Sequence, residues 1–137
     1  MNKKNTLVAV AMSGLMAASL VATAAPKCSL KTLKGTYIYS ASGTRDGIPF
    51  AESGQEVYDG KGNVMNYYTD NTGESGTSTA TYTMGENCIG ESTYSSGESY
   101  AIYASPNGSE FTWVAKSKAG DSVSTGTQRR VTTAIMK

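Results

Sequence analysis

The chain has 137 residues and no histidine, with twelve Lys and Arg against eleven Asp and Glu, a formal net charge of +1. This length accommodates one domain, and the missing histidine removes catalytic triads and the histidine ligands of zinc and redox metals. Only 17% of residues are charged, whereas Gly (15) and Tyr (9) are plentiful and Pro (3) is scarce, a mixture that suits strands and turns better than helices.

Residues 1–24 read as a secretory signal. Lys3 and Lys4 form a basic start, Leu7 to Val21 an apolar run broken by Ser13, Gly14 and Ser19, and Ala22-Thr23-Ala24 the small-residue cleavage pattern. The run is too short and too small-sided to span a membrane comfortably. Cleavage after Ala24 is favoured over Ala25, because Pro26 would otherwise follow the cut, and Pro26 and Lys27 speak against a lipid-anchored start at Cys28. Residues 25–137 are then an exported domain, periplasmic or secreted. Losing Lys3 and Lys4 leaves ten basic residues against eleven acidic ones. Arg129-Arg130 is the only local basic cluster, so nucleic acid is not expected as a partner.

Cys28 and Cys88 both lie in the exported part, where an even pair is most simply a disulfide. A reactive thiol is the alternative, with no histidine to activate it.

Past Cys28, the segment from Ser29 to Lys34 has room for a turn of helix. Short alternating segments rich in Tyr, Thr, Val and Ile then recur between Gly, Asn and Asp clusters. They predict eight strands: Thr36 to Ser42, Phe50 to Tyr58, Val64 to Thr69, Thr77 to Met84, Cys88 to Ser95, Ser99 to Ala104, Glu110 to Lys116, and Ser122 to Val131. Asp59-Gly60-Lys61-Gly62-Asn63 and Pro106-Asn107-Gly108 have the chemistry of tight turns. Short loops make sequence neighbours sheet neighbours, an antiparallel meander. Closure removes its open edges and gives a single all-β domain, an eight-stranded antiparallel up-and-down barrel. Such an interior is wide enough to be filled by side chains or to hold one small ligand. An outer-membrane barrel would need a lipid-facing apolar stripe with aromatic girdles, but both faces of Thr77 to Met84 are mostly small or polar. No membrane span is therefore expected in the exported domain.

Few residues remain to carry chemistry. Asp59 to Asp70 has acidic or amide groups where a calcium loop has them, but Lys61 occupies a ligand position and Val64 replaces the required Gly; a hairpin turn is the better reading, and no metal or cofactor is expected. Asn107-Gly108-Ser109 matches a glycosylation acceptor, although Asn-Gly is first a turn former. Alternation in the second strand puts Phe50, Glu52, Gly54, Glu56 and Tyr58 on one face. If that face is the interior, Glu52 and Glu56 enter a confined space and become candidate acids or bases, their pKa raised unless Arg129 or Arg130 pairs with them. If Val57 marks the inside instead, both glutamates are solvated. Candidate ligand-binding residues are Tyr37, Tyr39, Phe50, Tyr58, Tyr100, Phe111, Trp113 and Arg130, with plain core packing as the alternative use of the rings. Tyr67, Tyr82 and Tyr103 are candidates for an exposed face able to bury against another copy.

Several of these segments carry a resemblance. Leu33-Lys34-Gly35 with Tyr37, Ser42-Gly43-Thr44, and above all Tyr58-Asp59-Gly60-Lys61-Gly62-Asn63-Val64 are similar to small exported bacterial proteins with an allene-oxide-cyclase-like barrel of the calycin type. Thr81-Tyr82-Thr83 with Cys88 and Gly90, and Ser124-Thr125-Gly126-Thr127 ending in Arg129-Arg130, complete the pattern. The resemblance implies the barrel fold rather than a site. The plant cyclases of that fold bind a fatty-acid epoxide inside the barrel, but their catalytic residues find no counterpart here, and fold does not transfer activity. Tyr94-Ser95-Ser96-Gly97-Glu98-Ser99-Tyr100 also resembles the Ser-Gly loop of periplasmic lysozyme inhibitors, although the Tyr-x-Cys spacing around their first cysteine is missing.

These readings lead to a non-catalytic exported barrel that takes a small, partly apolar or lipid-like molecule inside. Two alternatives stay open: a cyclase or isomerase using Glu52 or Glu56, and a protein-interaction module of the lysozyme-inhibitor kind.

Overall fold

The computed structural model describes residues 27–116 and 122–135. The expected signal segment and its cleavage site lie outside the described residues. Eight strands run in chain order: β1 (Gly35–Arg45), β2 (Ile48–Tyr58), β3 (Asn63–Asp70), β4 (Ser75–Met84), β5 (Ile89–Tyr94), β6 (Ser99–Ala104), β7 (Glu110–Ala115) and β8 (Ser122–Thr132). Each pairs antiparallel with the next, and β8 pairs with β1 to close the barrel. All eight predicted strands form. The first hairpin is longer than predicted because Asp46-Gly47 makes a two-residue turn with positive φ at both positions, 52° and 78°, the geometry that continues strand twist without a longer loop.

One end of the barrel is plugged. A short 3₁₀ helix, Leu30–Leu33, lies beneath it with Leu33 fully buried. Cys28 forms a disulfide with Cys88 and so ties this segment to the β4–β5 turn. The Tyr82 hydroxyl donates to Leu30 O at 2.7 Å, and the Tyr37 hydroxyl donates to Gly108 O at 2.6 Å. Above the helix, Tyr37, Tyr58, Tyr82 and Phe111 meet edge to face with ring centroids 5.1 to 5.5 Å apart, the arrangement their quadrupoles favour. Tyr82, expected on an exposed face, is thus a core residue; Tyr67 and Tyr103 do face outward.

Alternation decides which face is inside. Tyr37, Tyr39, Glu56, Tyr58, Val64, Asn66, Ile102, Phe111 and Gln128 are buried, while the alternate positions Met65 and Tyr67 on β3, Thr79 and Thr81 on β4, and Thr127 and Arg129 on β8 are exposed. Val57 is also buried, but from the outside. Its cross-strand partner Thr36 donates to Ala134 O at 2.9 Å as the C-terminal segment returns along the wall, and Val57 and Ile135 border one outer groove. The Val57-inside alternative is therefore corrected: the face of Phe50, Glu52, Glu56 and Tyr58 is the interior.

Large interior rings sit opposite glycines. Tyr39 pairs with Gly54, Tyr68 with Gly76 and Trp113 with Gly126. A β-carbon on Gly54 would fall 2.8 Å from the Tyr39 ring and 2.1 Å from Tyr67 O; on Gly126 it would fall 2.6 Å from the Trp113 ring. Each ring lies along the wall over the glycine backbone, which leaves space along the axis.

Candidate functional site

Above the aromatic plug the interior is a cavity of about 400 Å³ that opens at the end carrying the β1–β2, β3–β4 and β5–β6 turns. Glu56 stands at its base, 2% exposed. One oxygen accepts from the Tyr58 hydroxyl at 2.7 Å and from Gln128 Nε2 at 2.6 Å; the other accepts from the Tyr94 hydroxyl. Burial pushes the Glu56 pKa up, and these three donors work against that rise without cancelling it. Glu56 is drawn from β2, Gln128 from β8 and Tyr94 from β5, so barrel closure assembles the group.

Glu52, two inward positions nearer the mouth, accepts from the Tyr39 hydroxyl at 2.5 Å. Its pKa is raised by partial burial, opposed by the Tyr39 hydrogen bond and by the charge of Arg45. Burial, followed by the neighbouring carboxylate, holds the Tyr39 and Tyr94 hydroxyls far above the ordinary phenol range, so both act as neutral donors. The partners expected for the glutamates are corrected: Arg129 is exposed on the outer face. Arg130 lies at the plugged end, its guanidinium donating to Thr32 O, Lys34 O and Asn107 O. Arg45 at the mouth packs over the Phe50 ring at 4.4 Å.

Three buried polar atoms have no partner among the described residues: Asn66 Oδ1, Gln128 Oε1 and Trp113 Nε1. All three residues line this one cavity. Leaving such a group unmade costs about 1–3 kcal/mol, so the lining of this cavity concentrates unsatisfied polar groups. In the same lining, the rings of Tyr94, Tyr100 and Trp113 form an edge-to-face chain with centroids 5.5 and 4.9 Å apart.

Of the sequence candidates, Tyr39, Phe50, Glu52, Glu56, Tyr58, Tyr100, Phe111 and Trp113 border the cavity, and Tyr37 and Arg130 sit at the plugged end away from it. Sequence reading passed over Arg45, Asn66, Tyr68, Tyr94 and Gln128. Alternation along β3 and β8 would have found Asn66 and Gln128, which lie two residues from Val64 and Gly126. Asp59 takes up its own turn: one oxygen accepts from the Lys61 and Asn63 amides at 2.7 and 3.0 Å, and the other accepts from Asn63 Nδ2 at 2.6 Å. Among the described residues no three Cys, Asp or Glu side chains are grouped to hold a metal ion, and no helix is long and apolar enough to cross a membrane. The Asn107 side chain accepts from Ser105 Oγ at 2.9 Å and the Ser109 amide at 3.0 Å, completing the β6–β7 turn.

No protein-family model matches the chain, and no curated protein matches it. Solved structures do. A redesigned β-barrel aligns with a TM-score of 0.58 at 19% identity, over 75% of this chain and 95% of that one. A de novo designed fluorescence-activating β-barrel aligns at 0.51 and 13% identity, over 74% and 95%. EF1p2_mFAP2b, solved bound to DFHBI, aligns at 0.50 and 20% identity, over 72% and 94%. At these identities the likeness establishes the closed eight-stranded barrel and nothing finer.

Proposed function

We propose that the protein binds one small, partly apolar molecule inside the barrel. The observation that carries this is the open cavity of about 400 Å³, lined by eight aromatic and eleven polar or charged residues, three of which carry a buried polar atom without a partner among the described residues. That volume is at the lower end of small-molecule sites. A barrel of similar architecture, EF1p2_mFAP2b, is solved with DFHBI bound, which supports the feasibility of the arrangement. The chain has a single tryptophan, and it lines the cavity, so occupancy reports directly on its fluorescence. Native mass spectrometry of protein purified without detergent is expected to show an adduct of a few hundred daltons that organic extraction removes, with a change in Trp113 emission. A bare mass together with emission indifferent to every added small molecule would end this reading.

The cyclase or isomerase alternative keeps one point in its favour, since Glu56 is a buried carboxyl of raised pKa beside two tyrosine hydroxyls. Turnover lost in Glu56→Gln with the fold retained would favour it over simple binding. Export of residues 25–137 to the periplasm or medium, and a grouping with the exported allene-oxide-cyclase-like barrels, are proposed on the signal pattern and on the turn from Tyr58 to Val64.

A further inference from the structure

The cavity has two unlike walls. On the side built by β8, β1, β2 and β3 the buried polar atoms without a partner are acceptors. Gln128, which lines the cavity, presents its Nε2 to Glu56 at 2.6 Å, which fixes the amide and leaves the buried Oε1 without a donor among the described residues. Asn66 spends Nδ2 on Ser78 Oγ at 3.3 Å and likewise leaves Oδ1 unpaired. Both side chains are about 95% buried, at 4% and 5% exposure. Glu52 takes one donor, from Tyr39, on Oε1. The adjoining side, built by β5, β6 and β7, presents the chain of aromatic rings Tyr94, Tyr100 and Trp113.

The charges agree with the acceptors. Among the described lining residues, Glu52, Glu56, Asp70, Glu74 and Glu98 stand against the single cation Arg45, which rests over Phe50 and is in no ion pair among the described residues. An acidic funnel with low-dielectric walls draws cations and repels anions.

We propose that the cavity is a site for a small organic cation, a protonated amine on a flat apolar body, whose N–H groups meet the acceptor wall of Glu52, Asn66 and Gln128 while its body lies against the aromatic wall. This rests on the cavity being a binding site and names the class of its ligand. An ammonium brings donors and no acceptor, which matches a wall of acceptors that a carboxylate or a hydrocarbon would leave unpaired. Tyrosine and tryptophan faces add attraction for the same charge. Trp113 Nε1 then calls for one acceptor on the body of the ligand, such as a hydroxyl.

Three probes of nearly equal size separate charge from shape: tyramine, a cation; tyrosol, its neutral alcohol counterpart; and hydroxyphenylacetate, an anion. Binding is read by Trp113 quenching and by calorimetry at low and at moderate salt. One charge-assisted contact on a partly buried carboxylate predicts tyramine tighter than tyrosol by about 10-fold or more, with hydroxyphenylacetate weakest. Glu52→Gln should bring the tyramine-to-tyrosol ratio close to one. Asn66→Leu, which removes an acceptor but no charge, should weaken tyramine and serves equally if Glu52→Gln fails to fold. Tyrosol or hydroxyphenylacetate binding as tightly as tyramine overturns the inference, as does the failure of all three to bind. In that last case an adduct seen by native mass spectrometry still upholds the cavity as a binding site, so the two readings fail separately.

Discussion

Glu56 concentrates the electrostatics of the interior in one side chain. Its folded pKa, like that of Glu52, is raised above the unfolded value of about 4.3, chiefly because burial penalises the charged form. The folded state therefore holds these protons more tightly than the unfolded chain. The stabilisation is fully present below about pH 4.3 and is lost as pH rises through the folded values. Asp70 works in the opposite direction: hydrogen bonds led by the Thr72 hydroxyl lower its pKa, so its contribution is lost only as pH falls below about 3.9. Thermal melts followed by circular dichroism should consequently peak in mildly acidic buffer and decline toward neutrality. Glu56→Gln should flatten that decline, and a wild-type midpoint that climbs from pH 5 to pH 8 would contradict the assignment.

At the scale of the strands, pairing aromatic rings with glycines determines whether the interior is filled or hollow. Gly126 sits opposite Trp113, and a β-carbon there would fall 2.6 Å from the ring and 2.7 Å from Ser40 O on the neighbouring strand. Neither neighbour can yield without cost, since one belongs to backbone and the other to a packed ring. Gly126→Val is expected to lower stability by about 1–3 kcal/mol, the usual penalty of overpacking. It should also shift Trp113 emission as the indole is driven off the wall. An unchanged melt with unchanged emission would show that the ring does not depend on the glycine. The reach of β1 and β2 follows from a similarly local cause, because Asp46-Gly47 turns the chain in two residues and lets the hairpin extend to Arg45 and Ile48. That extension carries Arg45 to the cavity mouth.

For the whole molecule the decisive bond is Cys28–Cys88, which closes a separation of 60 residues and fastens the short 3₁₀ helix Leu30–Leu33 under the barrel. In the chain-entropy description a loop of this length is stabilised by about 4 kcal/mol, an upper-end figure. For a barrel whose interior is partly hollow, that is a large share of the total. Two consequences are measurable together. The intact mass of exported protein should equal residues 25–137 less two hydrogens, and the Cys28→Ser, Cys88→Ser double variant should melt far lower. A mass that retains residues 1–24 would refute the signal reading, and one that keeps both thiol hydrogens would refute the crosslink.

How far the sequence reached can be judged from particular residues. Alternation in β2 placed Glu52, Glu56 and Tyr58 on one face, and turn chemistry at Asp59 to Asn63 and at Pro106 to Gly108 separated the strands on either side, because both depend only on neighbours within a few positions. The same local rule could not choose between that face and Val57, since Val57 is covered from outside by a segment some 75 residues away, between Thr132 and Ile135. Nor could it tell that Arg130 would be taken by Thr32, Lys34 and Asn107, or that Gln128 and Tyr94 would meet at Glu56. By itself, then, the sequence determined an eight-stranded meander, an even cysteine pair, and two carboxylates sharing one face of one strand. Tertiary structure alone decided which face is inside, which end is plugged, that the middle is hollow, and which buried polar atoms of its lining are left without a partner. The reason is physical: period and turn propensity are local, whereas register around a closed barrel sets contacts between residues far apart in the chain.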